Sequence, residues 1–503
     1  MKNLLEIAGI VTKKKVKKIE IFDEHSLRNK TSKFNEFYED LVAGVYKNDR
    51  DASNKLYGCS PKDARHRQLK SRFRKRLLNT LFFLDVNKPS ASNYDRAHFT
   101  CHKEWTLVKI LQDNNAYSSA IGLARSILTT AQKFYISEII VNCARILRED
   151  AAATGNSKDF EYYDDLLKAH LLILNAEMRS EELKQRVVMD YFRPRHKDND
   201  LEDRIDTYSN TLLSLSEMHD SPLIFYNMFL VWAMRYEMNR EYEALLEVCE
   251  RAENYIVENP RYYQEEKLID FYIKKMSAYL HLGNYSKGQI NAEQCLKQFP
   301  EGSKPWFTFM EYYLLLALHT DHHIQALAIY NQTVSNKRFI KQGAELRERW
   351  RLFEAVIYFL LEPMGLASRL TPIRKRDAFL PEKFIERSFY YGADQKKLTV
   401  LMLSMQVFYL VKAKQFNRAD EVIGQLQNMA NRNLHKVEYF RSIQFIRLLL
   451  LIRKANYQKE ELRNAEKYLN RLAEEPFTYR GVLSQFEPVQ LERLWQIFLS
   501  QLE

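Results

Sequence analysis

The chain has 503 residues, of which 46% are hydrophobic, and its 13 Gly and 12 Pro are too few for a turn-rich β fold. No stretch reaches the roughly 20 uncharged apolar residues that span a bilayer, and the first residues lack the pattern of a signal peptide. The five cysteines are scattered without a CxxC pair, which indicates reduced, structural thiols. We therefore expect a cytoplasmic protein that does not associate with a membrane.

The net charge of +11 is concentrated near the amino terminus. Residues 1–95 contain 21 Lys and Arg against 12 Asp and Glu, whereas the other 408 residues contain 55 against 53. A basic run at residues 13–18 has two interpretations, a solvated arm or an arm that contacts a polyanion. We call residues 1–95 the head and expect a small, mostly helical domain.

Three helices are predicted within the head. Two short helices cover residues 34–42 and about 50–57. The third starts with Ser60 as its N-cap and Pro61 at its first position, and it extends to about residue 84. A helix, a short turn and a basic helix resemble a helix-turn-helix. The alternative is a basic helix that faces solvent or another protein.

The third predicted helix is amphipathic and strongly basic. Its apolar stripe, spaced by four residues, is Leu69, Phe73, Leu77 and Leu81. Eight of residues 61–77 are Lys or Arg. Because like charges four residues apart repel each other, acidic groups should offset them, either inside the protein or on a partner.

These cations are the candidate binding residues of the chain. We hypothesise that three of them face outward, namely Arg67, Lys70 and Arg74. Three others would pair inside the protein, namely Arg65, Arg72 and Arg76. The candidate residues for binding a polyanion or a partner are Lys62, Arg67, Lys70, Arg74 and Lys75.

From about residue 96 one pattern recurs. An aromatic residue or a histidine follows a turn, and residues at +3, +7 and +10 then form one helical face. The starting residues are Tyr117, Phe160, Tyr242, Tyr285, His323 and Phe416, with a weaker copy at Tyr457. Four of the six intervals are 38–43 residues and two are about twice as long. The long intervals predict further turns at 196–200 and within 363–381.

The clearest copy of this pattern is residues 272–300. Gly288 and Ala292 provide small side chains where two helices approach, and the spacing resembles the second half of a tetratricopeptide repeat. The resemblance covers about residues 96–475. It implies an all-α, right-handed superhelical solenoid of helix pairs with long helices and a concave binding surface. Helical solenoids with repeats of about 40–47 residues also fit this spacing.

The pattern also predicts where the helices end. We expect turns at 114–116, 240–241, 283–284 and 414–415. Residues 476–503 are predicted to form a C-terminal capping helix that starts at Glu487-Pro488 and covers the last repeat. Its apolar residues are Leu491, Leu494, Trp495 and Phe498.

No sequence motif indicates an enzyme or a cofactor site. The chain lacks a Gly-rich phosphate loop, a GxSxG elbow and an HExxH helix. Residues 319–323 are the densest group of metal-ligand residue types, but the repeat pattern predicts a polar turn there. Residues 98–102 also contain metal-ligand residue types, but they too are not expected to bind a metal. We expect no catalytic residue, no metal and no cofactor.

Two functions fit the sequence. The first is a non-enzymatic scaffold or adaptor that binds a peptide or a partner protein on a surface of the repeats. The second is a regulator whose repeats accompany a nucleic-acid-binding head, in the manner of bacterial transcription regulators with tetratricopeptide repeats. The charge of the head favours the second function, and the length of its basic helix disfavours it.

Overall fold

The chain folds into helices throughout the residues that the computed structural model describes. These are 32–43, 45–46, 48–81, 92–192, 200–363, 365, 379–388, 395–435, 437–482 and 485–502. All of their regular secondary structure is helical, which confirms the all-α class. None of the helices in these ranges is both long and apolar enough to cross a membrane. The chain divides into two compact units, residues 1–172 with 261–263, and residues 173–260 with 264–503.

The first unit begins with three helices of the head, α1 (Lys33–Val42), α2 (Asp49–Tyr57) and α3 (Ala64–Leu81). Three further helices follow, α4 (Asn93–Asp113), α5 (Tyr117–Lys133) and α6 (Ser137–Ala153). The next helix, α7 (Ser157–Phe192), is 36 residues long and begins in the first unit. It continues into the second unit at residue 173.

The second unit continues as a series of helices. They are α8 (Leu201–Met218), α9 (Pro222–Met238), α10 (Tyr242–Glu258), α11 (Glu265–Leu282), α12 (Tyr285–Cys295), α13 (Lys304–His319), α14 (His323–Val334), α15 (Ala344–Leu361), α16 (Pro381–Ile385), α17 (Lys396–Lys412), α18 (Phe416–Arg432), α19 (Phe440–Lys454), α20 (Ala465–Glu474) and α21 (Leu491–Ser500). Two short 3₁₀ helices, Leu296–Gln298 and Phe339–Lys341, follow α12 and α14.

Within the described ranges, tight turns of one geometry join consecutive helices at seven places. In each turn a residue with positive φ lies two positions before the next helix. The residue after it donates its N–H to the carbonyl oxygen five residues earlier, which is the hydrogen bond of a Schellman cap. The residues with positive φ are Asn115, Tyr135, Gly155, Arg240, Gly283, Asp321 and Lys414. The predicted turns at 114–116, 240–241, 283–284 and 414–415 are confirmed.

The recurring +3, +7 and +10 pattern is the buried face of a helix. Five of its starting residues are the first residues of α5, α10, α12, α14 and α18. All fifteen residues at the three spaced positions of these helices are buried. In α7 the pattern fails, because the helix begins at Ser157 rather than at Phe160. Of the positions predicted after Phe160, only Leu167 is buried.

The starting aromatics of three helices stack on a ring that follows about 40 residues later. Tyr242 stacks on His281 with ring centroids 4.6 Å apart, and Tyr285 stacks on His322 at 3.7 Å. Phe416 stacks on Tyr457 at 4.9 Å. Each stack therefore joins the turn of one helix pair to a ring of the following pair, and this explains why an aromatic residue recurs at this position.

The second unit has two kinds of helix. One set, called the inner row, is α9, α11, α13, α15, α17 and α19. Contacts between its members join α9 to α11, α11 to α13, α15 to α17, and α17 to α19. Every residue of α17 from Lys397 to Val411 is buried, whereas its partner α18 buries three residues on one face. The inner row is therefore covered on more than one side.

Two predictions about helix starts are wrong. Helix α3 begins at Ala64 rather than at Pro61. Ser60 closes a turn through its carbonyl oxygen, which accepts the N–H of Asp63 at 3.0 Å, and the Asp63 carboxylate accepts the N–H of Arg65 at 2.8 Å. The last helix begins at Leu491 rather than at Glu487, although its four predicted apolar residues are buried.

Several predictions lie outside the described residues. They are the basic arm at 13–18, the turn at 196–199 and most of the segment 363–381.

Gly288 lies where α12 meets its neighbours. A Cβ atom added there would clash with Cδ2 of Leu316 on α13 and lie 3.1 Å from Cβ of Tyr279 on α11. We expect Gly288→Ala to lower the free energy of unfolding by about 1–2 kcal/mol, because this contact cannot relax without moving a buried leucine. Chemical denaturation measures the change.

The matched control is Gly424→Ala in α18, where an added Cβ meets no atom within 4 Å. Alanine is the better helix former, so this variant should gain about 0.5–1 kcal/mol. Equal effects of the two substitutions would show that α12 does not approach α11 and α13 as closely as the structure indicates.

Candidate functional site

The described part of the head is held together by an aromatic cluster around Phe73 of α3. Its ring centroid lies 5.0 Å from those of Phe34 and Phe37 and 6.1 Å from that of Tyr38, all on α1. Leu69 and Leu77 are buried beside it, which confirms the predicted apolar stripe. Because one face of α3 packs on α1 and α2, the opposite face points away from this core.

The outward face of α3 carries three unpaired cations. Arg67, Arg74 and Lys75 are exposed, and their side chains make no hydrogen bond or ion pair with the described residues. Ser71 and Leu78 lie on the same face, at i+4 and i+11 from Arg67, and both are exposed. We call these five residues the basic face. Lys62 is also exposed, in the turn before α3.

Lys70 is not part of the basic face, so the hypothesis that it faces outward is wrong. Its Nζ lies 2.6 Å from Oδ2 of Asp49 on α2, and the buried His66 lies 3.4 Å from the same carboxylate. Burial alone would raise the pKa of Asp49, but hydrogen bonds from Lys70 and His66 hold it below its usual value. Lys70 therefore joins α3 to α2.

The hypothesis for the inward-facing arginines holds in part. Arg65 pairs with Asp63 at 3.2 Å, and the guanidinium of Arg76 lies 4.9 Å from the ring centroid of Phe34. Arg72 is exposed and has no such partner among the described residues, so its internal pairing stays a prediction.

The head uses its acidic groups elsewhere. Glu36 pairs with Lys33 at 2.8 Å, and Asp40 pairs with Lys55 at 2.7 Å and accepts the hydroxyl hydrogen of Tyr46. Together with Asp49 and Asp63, these carboxylates neutralise cations outside the basic face. Neither Glu36 nor Asp40 of α1 therefore pairs with a described cation of α3.

A second candidate site lies in the second unit between α20 and α21, where the described residues 475–482 and 485–490 contain no α-helix. We call this segment the C-terminal loop. The ring of Phe477 lies 5.6 Å from that of His281 on α11 and 4.6 Å from that of His319 on α13. Phe486 contacts Phe353 of α15 with centroids 5.3 Å apart. The loop therefore packs on the inner row.

Tyr479 anchors the loop through polar groups that the inner row buries. Its hydroxyl donates to Oε1 of Glu311 at 2.5 Å, and Glu311 is paired with Arg349 at 2.8 Å. Its backbone N–H donates to Nε2 of His281 at 2.9 Å. Burial lowers the pKa of His281. The neutral ring therefore accepts at Nε2 and donates from Nδ1 to the carbonyl oxygen of Ser277.

Glu487 anchors the other end of the loop. Its carboxylate accepts two hydrogen bonds from Arg441 of α19, at 2.8 and 2.9 Å, and lies 3.7 Å from Nζ of Lys397 on α17. Burial alone would raise the pKa of Glu487, but these two cations hold it below its usual value. Its side chain is 1% exposed. A buried carboxylate of this kind is stable only with its partners in place.

A further buried ion pair lies near Tyr479. Glu237 of α9 pairs with Lys274 of α11 and accepts hydrogen bonds from the hydroxyls of Tyr191, at 2.7 Å, and Ser277. Ser277 also lies 3.4 Å from the carbonyl oxygen of Tyr479. This network therefore joins α7, α9, α11 and the loop.

The histidines near residue 320 serve the fold as a polar turn, which confirms the predicted break between α13 and α14. Nε2 of His319 donates to the carbonyl oxygen of Glu487 at 2.9 Å, whereas the His322 ring stacks on Tyr285. The side chains thus point to different partners. In the described part of the chain, no three His, Cys, Asp or Glu side chains are grouped as metal ligands.

Comparison with known proteins gives no relative of this chain. No family model, no curated protein and no solved structure matches it.

Sequence reasoning did not find the C-terminal loop. The segment lacks helical periodicity, yet it contains Phe477, Tyr479 and Phe486 within ten residues and is bounded by Pro476 and Pro488. Aromatic side chains without periodicity, between two helices, are the signal that could have predicted a packed loop.

Glu487→Gln removes a buried negative charge and leaves Arg441 and Lys397 without their main counter-ion. We expect the free energy of unfolding to fall by about 3 kcal/mol. The matched control is Glu492→Gln, which removes the other carboxylate bonded to Arg441, at 2.6 Å. Because Glu492 is partly exposed, its loss should cost about 1 kcal/mol or less. Urea denaturation of both variants provides the measurement, and equal losses would contradict a special role for Glu487.

Stability should fall as the pH drops below 6.5. Burial lowers the pKa of His319 to about 4, whereas its unfolded value is 6.5. As the pH falls, His319 is therefore protonated in the unfolded chain before it is protonated in the folded one. This group should lower the free energy of unfolding by about 2 kcal/mol between pH 7 and pH 5. The variant His319→Gln retains a hydrogen-bond donor in its amide but cannot be protonated in this range. Thermal denaturation should therefore show a smaller loss of stability between pH 7 and pH 5 in this variant than in the wild type. An unchanged pH dependence would show that His319 is not held in its neutral form.

Proposed function

We propose that this protein is a non-enzymatic scaffold that binds a partner protein on its helix pairs. We further propose that the pairs are tetratricopeptide-like repeats arranged as a right-handed solenoid. The observation that carries the proposal is the packing of the C-terminal loop against the inner row. There, aromatic and acidic side chains of a non-helical segment are held by polar groups from successive helices.

The recurring face of the helices supports the repeat assignment. The buried positions after Tyr117, Tyr242, Tyr285, His323 and Phe416 repeat with one spacing, and the turns before them share one geometry. Helix pairs of this kind present continuous surfaces to partners. Because the protein's own loop occupies the inner row, the partner is expected on surfaces that the loop leaves uncovered.

One uncovered surface is a cavity of about 500 Å³ between two successive turns of the second unit. It is lined by Asn284, Tyr285 and Ser286 from one turn and by Thr320, Asp321 and His322 from the other. Ser286 is exposed at its edge. Polar groups around an aromatic ring suit the backbone and side chains of a peptide.

The proposal is tested with the full-length protein as bait in an extract of its native host. Retained proteins are then purified and titrated calorimetrically against the chain. We expect a partner that binds with a fixed stoichiometry, is recovered with unchanged mass, and forms chemical cross-links to the second unit. Its affinity should fall in Ser286→Trp, which obstructs the cavity, and not in Ser500→Trp, a substitution at an exposed serine of α21.

Two results would contradict the proposal. One is a bound molecule that is recovered chemically altered, since this would indicate an enzyme. The other is a partner whose cross-links all fall on the head, since the helix pairs of the second unit would then not be the binding surface.

A further inference from the structure

The basic face of α3 has no counter-charge within the described residues. The described carboxylates of the head include Glu36, Asp40, Asp49 and Asp63, and each is paired with a cation outside the basic face. Arg67, Arg74 and Lys75 remain exposed and unpaired. The helix thus presents three cations within nine residues, a length of about 12 Å.

The basic face is rigidly supported. On the opposite side of α3, His66, Leu69, Phe73, Leu77 and Thr80 are all buried. Lys70 and Arg65 fix the helix by ion pairs to Asp49 and Asp63. The three cations therefore project from a helix whose orientation is already set, so that little backbone ordering is required when they bind.

The composition of the basic face distinguishes between two kinds of acidic partner. Protein interfaces have an apolar core rich in aromatic residues, and Lys and Ser are depleted from them. Here the only large apolar side chain is Leu78, which is 39% exposed, and it is accompanied by Ser71 and the cations. Interfaces with nucleic acids are more polar and much more positively charged, and the arginine fork matches the oxygens of a phosphate.

We propose that the basic face of α3 binds the phosphodiester backbone of a nucleic acid. Arg67, Arg74 and Lys75 contact phosphate oxygens, and Ser71 contributes a hydroxyl donor between them. Contacts of this kind carry no base sequence, so binding is independent of sequence. The proposal does not depend on the scaffold function, because it concerns only the head.

The test measures binding of the full-length protein to short fluorescent duplexes of DNA and of RNA, by anisotropy, from about 50 to 200 mM salt. The expected result is binding of one or both duplexes that weakens linearly on a log–log plot. The triple variant with Arg67→Gln, Arg74→Gln and Lys75→Gln should bind about tenfold more weakly or worse. Its log–log slope against salt concentration should be smaller in magnitude by about 2–3, because each phosphate contact contributes about 0.9 to that slope. The duplex that binds more tightly identifies the source of the phosphates.

The matched control neutralises three exposed cations elsewhere, Arg145, Lys158 and Lys287, and produces the same change in net charge. It should bind nearly as well as the wild type, and circular dichroism checks that both triple variants are folded. Arg67→Glu alone serves as a second variant if the triple variant unfolds, and it should also weaken binding.

Three results would overturn the proposal. The first is that the wild type binds neither duplex at the lowest salt concentration. The second is an equal loss of affinity in the two triple variants, which would indicate attraction by net charge alone. The third is complete displacement of the duplex by polyglutamate of equal charge concentration, which would indicate that the basic face binds acidic polypeptides instead.

Discussion

The structure of the second unit depends on the buried ion pair between Glu487 and Arg441. A guanidinium cannot be neutralised by losing its proton, so a buried arginine requires acceptors around it. Arg441 obtains them from the carboxylates of Glu487 and Glu492 and from the carbonyl oxygens of Leu472 and Glu475. One side chain of α19 thereby fixes the end of α20, the C-terminal loop and the start of α21. Desolvation makes this arrangement costly to break, because removing the buried carboxylate of Glu487 leaves Arg441 and Lys397 as buried cations without their main counter-ion.

The inner row and the C-terminal loop satisfy each other's polar groups. His281, Glu311 and Ser277 are polar groups of the inner row that face the loop, and buried polar groups must find partners. Tyr479 supplies them through its N–H, its hydroxyl and its carbonyl oxygen. The loop is therefore a component of the core and not a peripheral cap. This explains why α13 and α17 are apolar around most of their circumference, since the loop and α21 cover the side that other helices leave open.

Local patterns in the sequence were sufficient to predict the repeating helices, because small residues at a fixed spacing indicate where two helices approach each other closely. The turn residues Arg240 and Lys414 could not be predicted, since positive φ at these residue types is imposed by the helices on either side. The helix start predicted at Phe160 is wrong by about one helical turn, because α7 begins at Ser157.

In the head, the apolar stripe of α3 was predictable. The pairing of Lys70 with Asp49 was not, because it joins residues 21 positions apart. The anchors of the C-terminal loop connect residues as far apart as His281 and Tyr479, which no local pattern records.

The central claim is that the C-terminal loop belongs to the core of the second unit. Backbone hydrogen exchange measures this most directly, because amides of core elements exchange only through large unfolding events. The account predicts that the amide of Tyr479, which donates to His281, exchanges as slowly as the amides of α11 and α13. It also predicts that Glu487→Gln accelerates exchange in the loop and in these helices together. Rapid exchange of Tyr479 in the wild-type protein, while α11 and α13 remain protected, would contradict the claim.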